Sequence, residues 1–367
     1  MLDPRLAKFA DVLVNYCCKV KKDELTLINC SDLSTPLAME VFRSALKKGA
    51  HPYIKMGTSG AQEIFLKEAK PYQLQFVSPV AKMEMETIDN LIAMRGPHNT
   101  MELSNTDPKK AAMQRAASRP IQEIFMKRSA EGKLKWVGTQ YPTHAAAQDA
   151  GMSLSEYEDF VFEACLLHKK DPVAEWKKIS REQAKTVRWL NRKKEIRIIA
   201  KDTDITFNVK GRKWINCDGS NNFPDGEVFT GPVENSANGH IRYTFPAVYS
   251  GRMVENIYLE FENGKVVKSK AEKGEKFLKE MLKMDDGSSY VGELAIGTNY
   301  GIKKFTKNIL FDEKIGGTCH IAVGAAYPET GSKNVSALHW DMICDLRQQG
   351  EIHADGKVFY KNGKFLI

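Results

Sequence analysis

The sequence predicts an α/β protein in two parts: an N-terminal open α/β domain with a largely parallel sheet, residues 1–192, then a β-rich α+β domain, residues 193–367. Three observations carry this reading. At 367 residues the chain exceeds the length at which one hydrophobic core usually stays single. Its first half alternates strand-like apolar runs with helical periodicity, the pattern of a parallel sheet. From residue 195 that alternation stops, and short strand-like runs follow one another across turn signals such as Glu262-Asn263-Gly264-Lys265, the pattern of antiparallel β.

Taken in order, Asp3-Pro4 supplies an N-cap and a first-turn proline, and Leu6, Phe9, Ala10, Leu13 and Val14 give the following helix its apolar stripe. Glu24 to Cys30 reads as a buried strand. Ser34-Thr35-Pro36 opens a helix with Leu37, Val41, Phe42 and Ala45 on one side, Gly49 stops it, and Pro52 to Met56 returns as a strand. That is a βαβ unit. Leu74 to Val77 and Ile88 to Met94 continue as strands, Asp107-Pro108 starts a helix to about Ser129, and Leu134 to Gly138 is again a strand. Helices follow near 143–150 and 153–168, and Ser180-Arg181-Glu182-Gln183 reads as a capping box opening another to Asn191. The second part offers strands at Glu195 to Ala200, Asp204 to Val209, Ile241 to Pro246, Met253 to Glu262 and Lys265 to Lys268, with one helix near 272–284. Neither GxGxxG nor GxxxxGK[ST] accompanies the first sheet, so nothing in it predicts a nucleotide site.

Composition narrows the class. At 42% hydrophobic and 27% charged residues the chain is ordinary for a globular protein, and no run approaches the length of a membrane span. Met1-Leu2-Asp3-Pro4-Arg5 lacks the basic and apolar order of a signal peptide, which predicts a cytoplasmic protein with no membrane partner. Seven scattered cysteines, with no CxxC spacing, predict reduced thiols, mostly buried. The net charge of +8 is concentrated between 169 and 213, where fifteen Lys/Arg face six Asp/Glu. Such a stretch can mark nucleic acid, but with few aromatics to stack on bases a solvated helix face with salt bridges is the better reading.

The informative residues lie between 227 and 341. Gly292-Glu293-Leu294-Ala295, Cys319-His320-Ile321-Ala322 and His339-Trp340-Asp341 each put an acid or an imidazole into an apolar, strand-like run, and Leu310-Phe311-Asp312-Glu313 looks similar. A lone polar group in such a strand carries a desolvation cost with no return. His51, His98, His144, His168, His240 and His353 are isolated and read as ordinary histidines. His339 and Asp341 are different, because alternate strand residues share a face. The same rule turns Cys319 away from whatever His320 binds. With Glu227, in Pro224-Asp225-Gly226-Glu227-Val228-Phe229-Thr230, the set holds two imidazoles and three carboxylates. This mixed N/O ligation suits zinc, cobalt or manganese. Five ligands exceed what one catalytic zinc takes from protein, so two divalent ions fit better.

These residues carry a resemblance. Most of the chain, from the Leu25-to-Met56 unit through Trp136-Val137-Gly138-Thr139-Gln140-Tyr141-Pro142-Thr143, is similar to the aminopeptidase T and aminopeptidase S family of dinuclear metallo-aminopeptidases. The likeness is most specific in the order Glu-Val-Phe-Thr, Gly-Glu, Leu-Phe-Asp-Glu, Cys-His-Ile-Ala, Ala-Tyr, His-x-Asp. It implies metal ligands Glu227, Glu293, His320, His339 and Asp341, Glu313 as general base and Tyr327 at the substrate carbonyl. It implies two divalent ions (zinc, cobalt, manganese or magnesium), peptide substrates with a free N-terminus, a homodimer, and a catalytic role for the second domain. Read on residues alone, Glu313 could be a further ligand or a strand-end acid, and Tyr327 a core tyrosine. The competing functional classes are a dinuclear hydrolase for another substrate, such as a phosphoester, and a nucleic-acid-binding protein.

Overall fold

The computed structural model describes residues 3–367, which fall into two compact units: residues up to Ala174 with Gly219–Phe223, and Glu175–Asp218 with Pro224–Ile367. The first unit is built as its sequence dictates. Asp3 caps the helix Pro4–Val12, its carboxylate accepting from the Arg5 amide at 2.8 Å, and Leu6, Phe9, Ala10 and Val12 are buried along one side. Strand Leu25–Ser31, helix Thr35–Lys47 and strand His51–Gly57 form the βαβ unit, with the two strands paired in parallel from Leu25 opposite His51. Asn90–Arg95 and Lys135–Gln140 extend the parallel sheet, and Asn222–Phe223 adds a short last strand beside Lys135–Gln140.

Local chemistry moved several expected elements. Leu74 to Val77 is not a strand: Pro71 starts the short helix Pro71–Leu74, and the Gln73 side chain accepts from the Lys70 amide. The helix expected from Asp107 to Ser129 is two, Pro108–Ala117 and Arg119–Ala130, because Pro120 has no amide proton to continue the first. Ser180 does not open a helix. Asp171 accepts from the Ala174 amide at 2.9 Å and the helix runs from Pro172 to Leu190, with Ser180 inside it, donating to Asp218. The Met253–Glu262 run is split at Asn256, which adopts φ 57°, into Arg252–Val254 and Tyr258–Glu262.

The second unit holds two larger sheets. One has eight strands and includes Glu195–Ala200, Thr203–Asn208, Asn238–Arg242 and Tyr258–Glu262, all paired antiparallel. The other has five, in the order His339–Asp345, Thr318–Gly324, Val291–Gly297, Glu227–Thr230, Ile215–Cys217, again antiparallel throughout. A single apolar cluster joins them: Ile196, Ile198, Ile205, Phe207, Leu259 and Phe261 from the first meet Leu294, Ile296, Ile321, Val323, Trp340 and Met342 from the second. The five-stranded sheet therefore spends one face on the core. Its other face carries the polar residues.

No disulfide joins the cysteines among the described residues, and all but Cys217 are buried. Cys319 lies in the core cluster, on the opposite side of its strand from His320. In the basic stretch, Arg197 is paired with Asp204 at 2.6 Å and Arg212 with Glu234 at 2.7 Å. Among the described residues no helix is long and apolar enough to cross a membrane.

Candidate metal centre

Register explains how the polar face is assembled. Gly297 pairs with Glu227, Ala295 with His320, and Ala322 with both Glu293 and Asp341; Gly324 pairs with His339. By the period of two, Glu227, Glu293, His320, His339 and Asp341 all project from one face, and the positions between them on the middle strands are Ala295, Gly297, Ala322 and Gly324. Across the face each acid or imidazole thus has a small residue opposite it on the neighbouring strand, which leaves room for something between the large groups. Gly324 is required by its backbone as well: it adopts φ 103°, and a Cβ there would lie 2.1 Å from the Leu338 carbonyl oxygen.

The five side chains form two overlapping triads, Glu227–Glu293–His320 and Glu293–His339–Asp341, in each of which the candidate ligand atoms lie within 4.8 Å of one another. Glu293 belongs to both, with one oxygen for each. Its Oε1 is 3.4 Å from His320 Nε2 and its Oε2 is 3.5 Å from His339 Nε2. Glu227 Oε2 lies 3.3 Å from His320 Nε2, and Asp341 Oδ1 lies 3.4 Å from His339 Nε2. His339 Nδ1 donates to the Ala325 carbonyl at 2.8 Å, which directs Nε2 into the cluster.

The electrostatics are those of a site short of positive charge. Burial pushes Glu227 upward, opposed by Lys314 and His320. Burial would also raise Glu293, but hydrogen bonds from His320 and His339 outweigh it and hold it low. His320 is moved the other way: burial would lower it, yet Glu293 and Glu227 push it up to about 9. His339 is raised against burial by Asp341 and Glu293, and Asp341 is in turn held well below the usual range by His339. Glu227 Oε2 and Asp341 Oδ1 are buried without a hydrogen-bond partner among the described residues. Orphaned carboxylate oxygens beside two imidazoles are costly unless a cation takes up their lone pairs. The donor set fits divalent metal.

Glu313 and Tyr327 approach the same face from outside the sheet. The expected strand at Leu310–Glu313 is instead a short helix, Ile309–Asp312, because Asn308 caps it by accepting from the Leu310 amide at 3.1 Å. Glu313 is its C-cap, and it forms a further compact group with His320 and Asp341. Burial, reinforced by Glu227 and Asp341 and countered by Lys314, pushes Glu313 up to about 7. Tyr327, with φ −87° and ψ 115° before Pro328, has an extended backbone and sets its ring edge-on to His339, centroids 5.1 Å apart. It is 41% exposed and packs also on Phe229, so it is not a core residue.

Two residues of the cluster escaped the sequence reading. Lys314 is fully buried and donates to Glu227 Oε1 at 3.0 Å and to Glu313; Asp225 lies 3.7 Å from the same ammonium. The available signal was the position of Lys314 itself: a cation directly after Glu313 at the edge of an apolar, glycine-rich turn.

A buried, carboxylate-rich cluster of this kind is the setting of a divalent cation. The particular class follows from the comparisons. The family of thermophilic metalloproteases designated M29 matches residues 2–365, and the chain belongs to it. Aminopeptidase 2 of Geobacillus stearothermophilus is 26% identical over 364 residues, covering 92% of this chain and 87% of that one. Aminopeptidase AmpS of Bacillus subtilis is 27% identical, covering 98% of each. The solved structure of wild-type AmpT from Thermus thermophilus covers 99% of both chains with a TM-score of 0.86 at 22% identity, which shows the shared fold. The chain is a metal-dependent aminopeptidase.

Proposed function

We propose that the enzyme releases amino acids from the N-terminus of peptides at a centre where Glu227, Glu293 and His320 would hold one divalent ion and Glu293, His339 and Asp341 a second. The observation that supports this most directly is the division of Glu293, one oxygen facing each triad. Zinc, cobalt, manganese or magnesium in these places would polarise the scissile carbonyl and acidify the attacking water.

The chain's own residues supply the rest. Glu313, pushed up to about 7, can accept a proton near neutral pH and return it to the leaving amine nitrogen. Its place beside His320 and Asp341 puts its carboxylate at the edge of both triads. The Tyr327 hydroxyl donates to the oxyanion that forms on the carbonyl, and edge-on contact with His339 orients its ring. His339 is held in one tautomer by Ala325. We further infer from the resemblance that the working form is a cytoplasmic homodimer.

The test is a single panel. Metal content of the purified protein is measured, together with hydrolysis of amino-acid arylamides and dipeptides, with and without chelator. Two ions per chain and chelator-sensitive release of the N-terminal residue support the reading. One ion per chain at full activity would overturn the assignment of Glu293 to two ions.

A further inference from the structure

Lys314 is held in place by its own backbone. Its amide donates to the Phe311 carbonyl at 3.1 Å, and its carbonyl accepts from the Asn299 amide at 3.0 Å. The Gly316 amide returns a bond to the Asn299 carbonyl at 2.9 Å. The next residue presses on the sheet: a Cβ on Gly297 would lie 2.2 Å from the Ile315 carbonyl oxygen. The turn after Glu313 therefore lies flat on the strand end opposite Glu227, and the Lys314 side chain enters the cluster with no exposure.

Burying an ammonium costs several kcal/mol unless carboxylates surround it. Here Glu227 and Glu313 bond it directly and Asp225 stands 3.7 Å away. The charges also balance. Asp225, Glu227, Glu293, Glu313 and Asp341 are five carboxylates, which one ammonium and two divalent ions neutralise if both imidazoles are uncharged.

The bonding divides the carboxylates between two tasks. Lys314 takes Oε1 of Glu227, and the oxygen left over, Oε2, is the buried atom without a partner that faces His320. Lys314 also takes Oε1 of Glu313. Glu313 needs such a hold, because with His320 and Asp341 it makes another group compact enough to bind an ion. A general base that swings onto a metal stops being a base.

We propose that Lys314 is a positioning residue that tethers Glu313 away from the ions and turns a single oxygen of Glu227 toward them. The proposal rests on the reading of Glu313 as general base. It makes Lys314 a competitor of the metals for Glu313, so its removal leaves metal binding intact and damages turnover.

The test uses the metal-loaded full chain. Lys314→Met keeps the aliphatic stem and deletes the charge; Lys314→Gln, which retains a neutral donor, is the second variant. Each is measured for metal content, for zinc affinity by calorimetry, and for kcat and KM on a dipeptide. Lys314→Met keeps two ions, bound at least as tightly because a neighbouring positive charge is gone. Its kcat falls about 10²-fold, the scale on which misplacing a catalytic group acts, with KM little changed. In combination with Glu313→Gln it is no slower than Glu313→Gln alone, since both act through one carboxylate. Wild-type kcat in Lys314→Met with Glu313→Gln impaired overturns the proposal and leaves the base intact. A normal rate in Glu313→Gln removes the base reading itself. Loss of metal in step with activity, multiplying losses in the double variant, or failure of both Lys314 variants to fold each makes Lys314 a structural counter-ion, and the proposal is wrong.

Discussion

Each unit of this protein places an ion-paired polar cluster on a sheet, and the two differ in depth and in charge balance. On the parallel sheet Lys135 donates to both oxygens of Glu24 at 2.7 Å, and Asn90 donates to Glu24 at 3.0 Å and to Thr26 at 3.1 Å. One acid meets one base and the charges close on themselves. On the five-stranded antiparallel sheet, five carboxylates converge on a single ammonium and two imidazoles, and buried oxygens remain without partners. Ion pairing is common to both, and the second cluster is the more deeply buried. The unbalanced charge distinguishes the functional sheet, because an excess of buried carboxylate is tolerable only where a cation is expected.

The comparison breaks first at His339. His339→Ala opens one triad, and should lower bound metal to one ion or fewer per chain, and turnover by about 10⁴-fold, the scale for losing one member of a cooperating catalytic unit. Retention of two tightly bound ions by elemental analysis, at full rate, would show that this ligand set is wrong. Glu313→Gln should keep both ions and substrate binding while cutting kcat by ~10²–10⁴. Steady-state kinetics with metal content alongside decides it. Tyr327→Phe deletes only a hydroxyl. It should lower kcat roughly 10²-fold with KM and melting temperature little changed. A lower melting temperature with full rate per folded molecule would return Tyr327 to a structural role.

A gentler test uses protons. His320 is pushed up to about 9 in the metal-free protein by Glu293 and Glu227, so at neutral pH it is protonated and must lose that proton to become a ligand. Metal affinity should therefore rise with pH from 6 to about 9, roughly tenfold per unit for each proton displaced. Calorimetry in buffers of different ionisation enthalpy counts the protons directly; affinity flat from pH 6 to 9 would contradict the assignment.

The smallest effect belongs to the balanced cluster. Burial would raise Glu24, but hydrogen bonds from Lys135 and Asn90 hold it below its ordinary 4.5. Its contribution to stability is then present above 4.5 and is lost as pH falls through the lower, folded value. Lys135→Met should cost about 1–3 kcal/mol in chemical denaturation and leave metal content and the rate per folded molecule unchanged. A metal or rate defect there would blur the line between the two sheets.

Much of this is legible in the sequence. Asp3-Pro4, the βαβ unit and the change of texture near 195 are local signals, and local hydrogen bonding and periodicity decide such features. Where the structure differs from expectation, a local competitor decides: Pro120 ends a helix, Gln73 caps one, and Asn308 bends an expected strand into a helical turn.

The sequence by itself determined which residues share a face. A period of two puts His339 with Asp341, and His320 with Ala322, in any strand, because the pleat is a property of the backbone. Strand order and register, by contrast, are settled by burial of the opposite face against the second sheet, through residues more than a hundred positions apart. Only the tertiary structure therefore decided that Glu227 would stand beside a strand beginning at Val291, that a single glutamate would divide between two triads, and that Lys314 would be the one ammonium held among the acids.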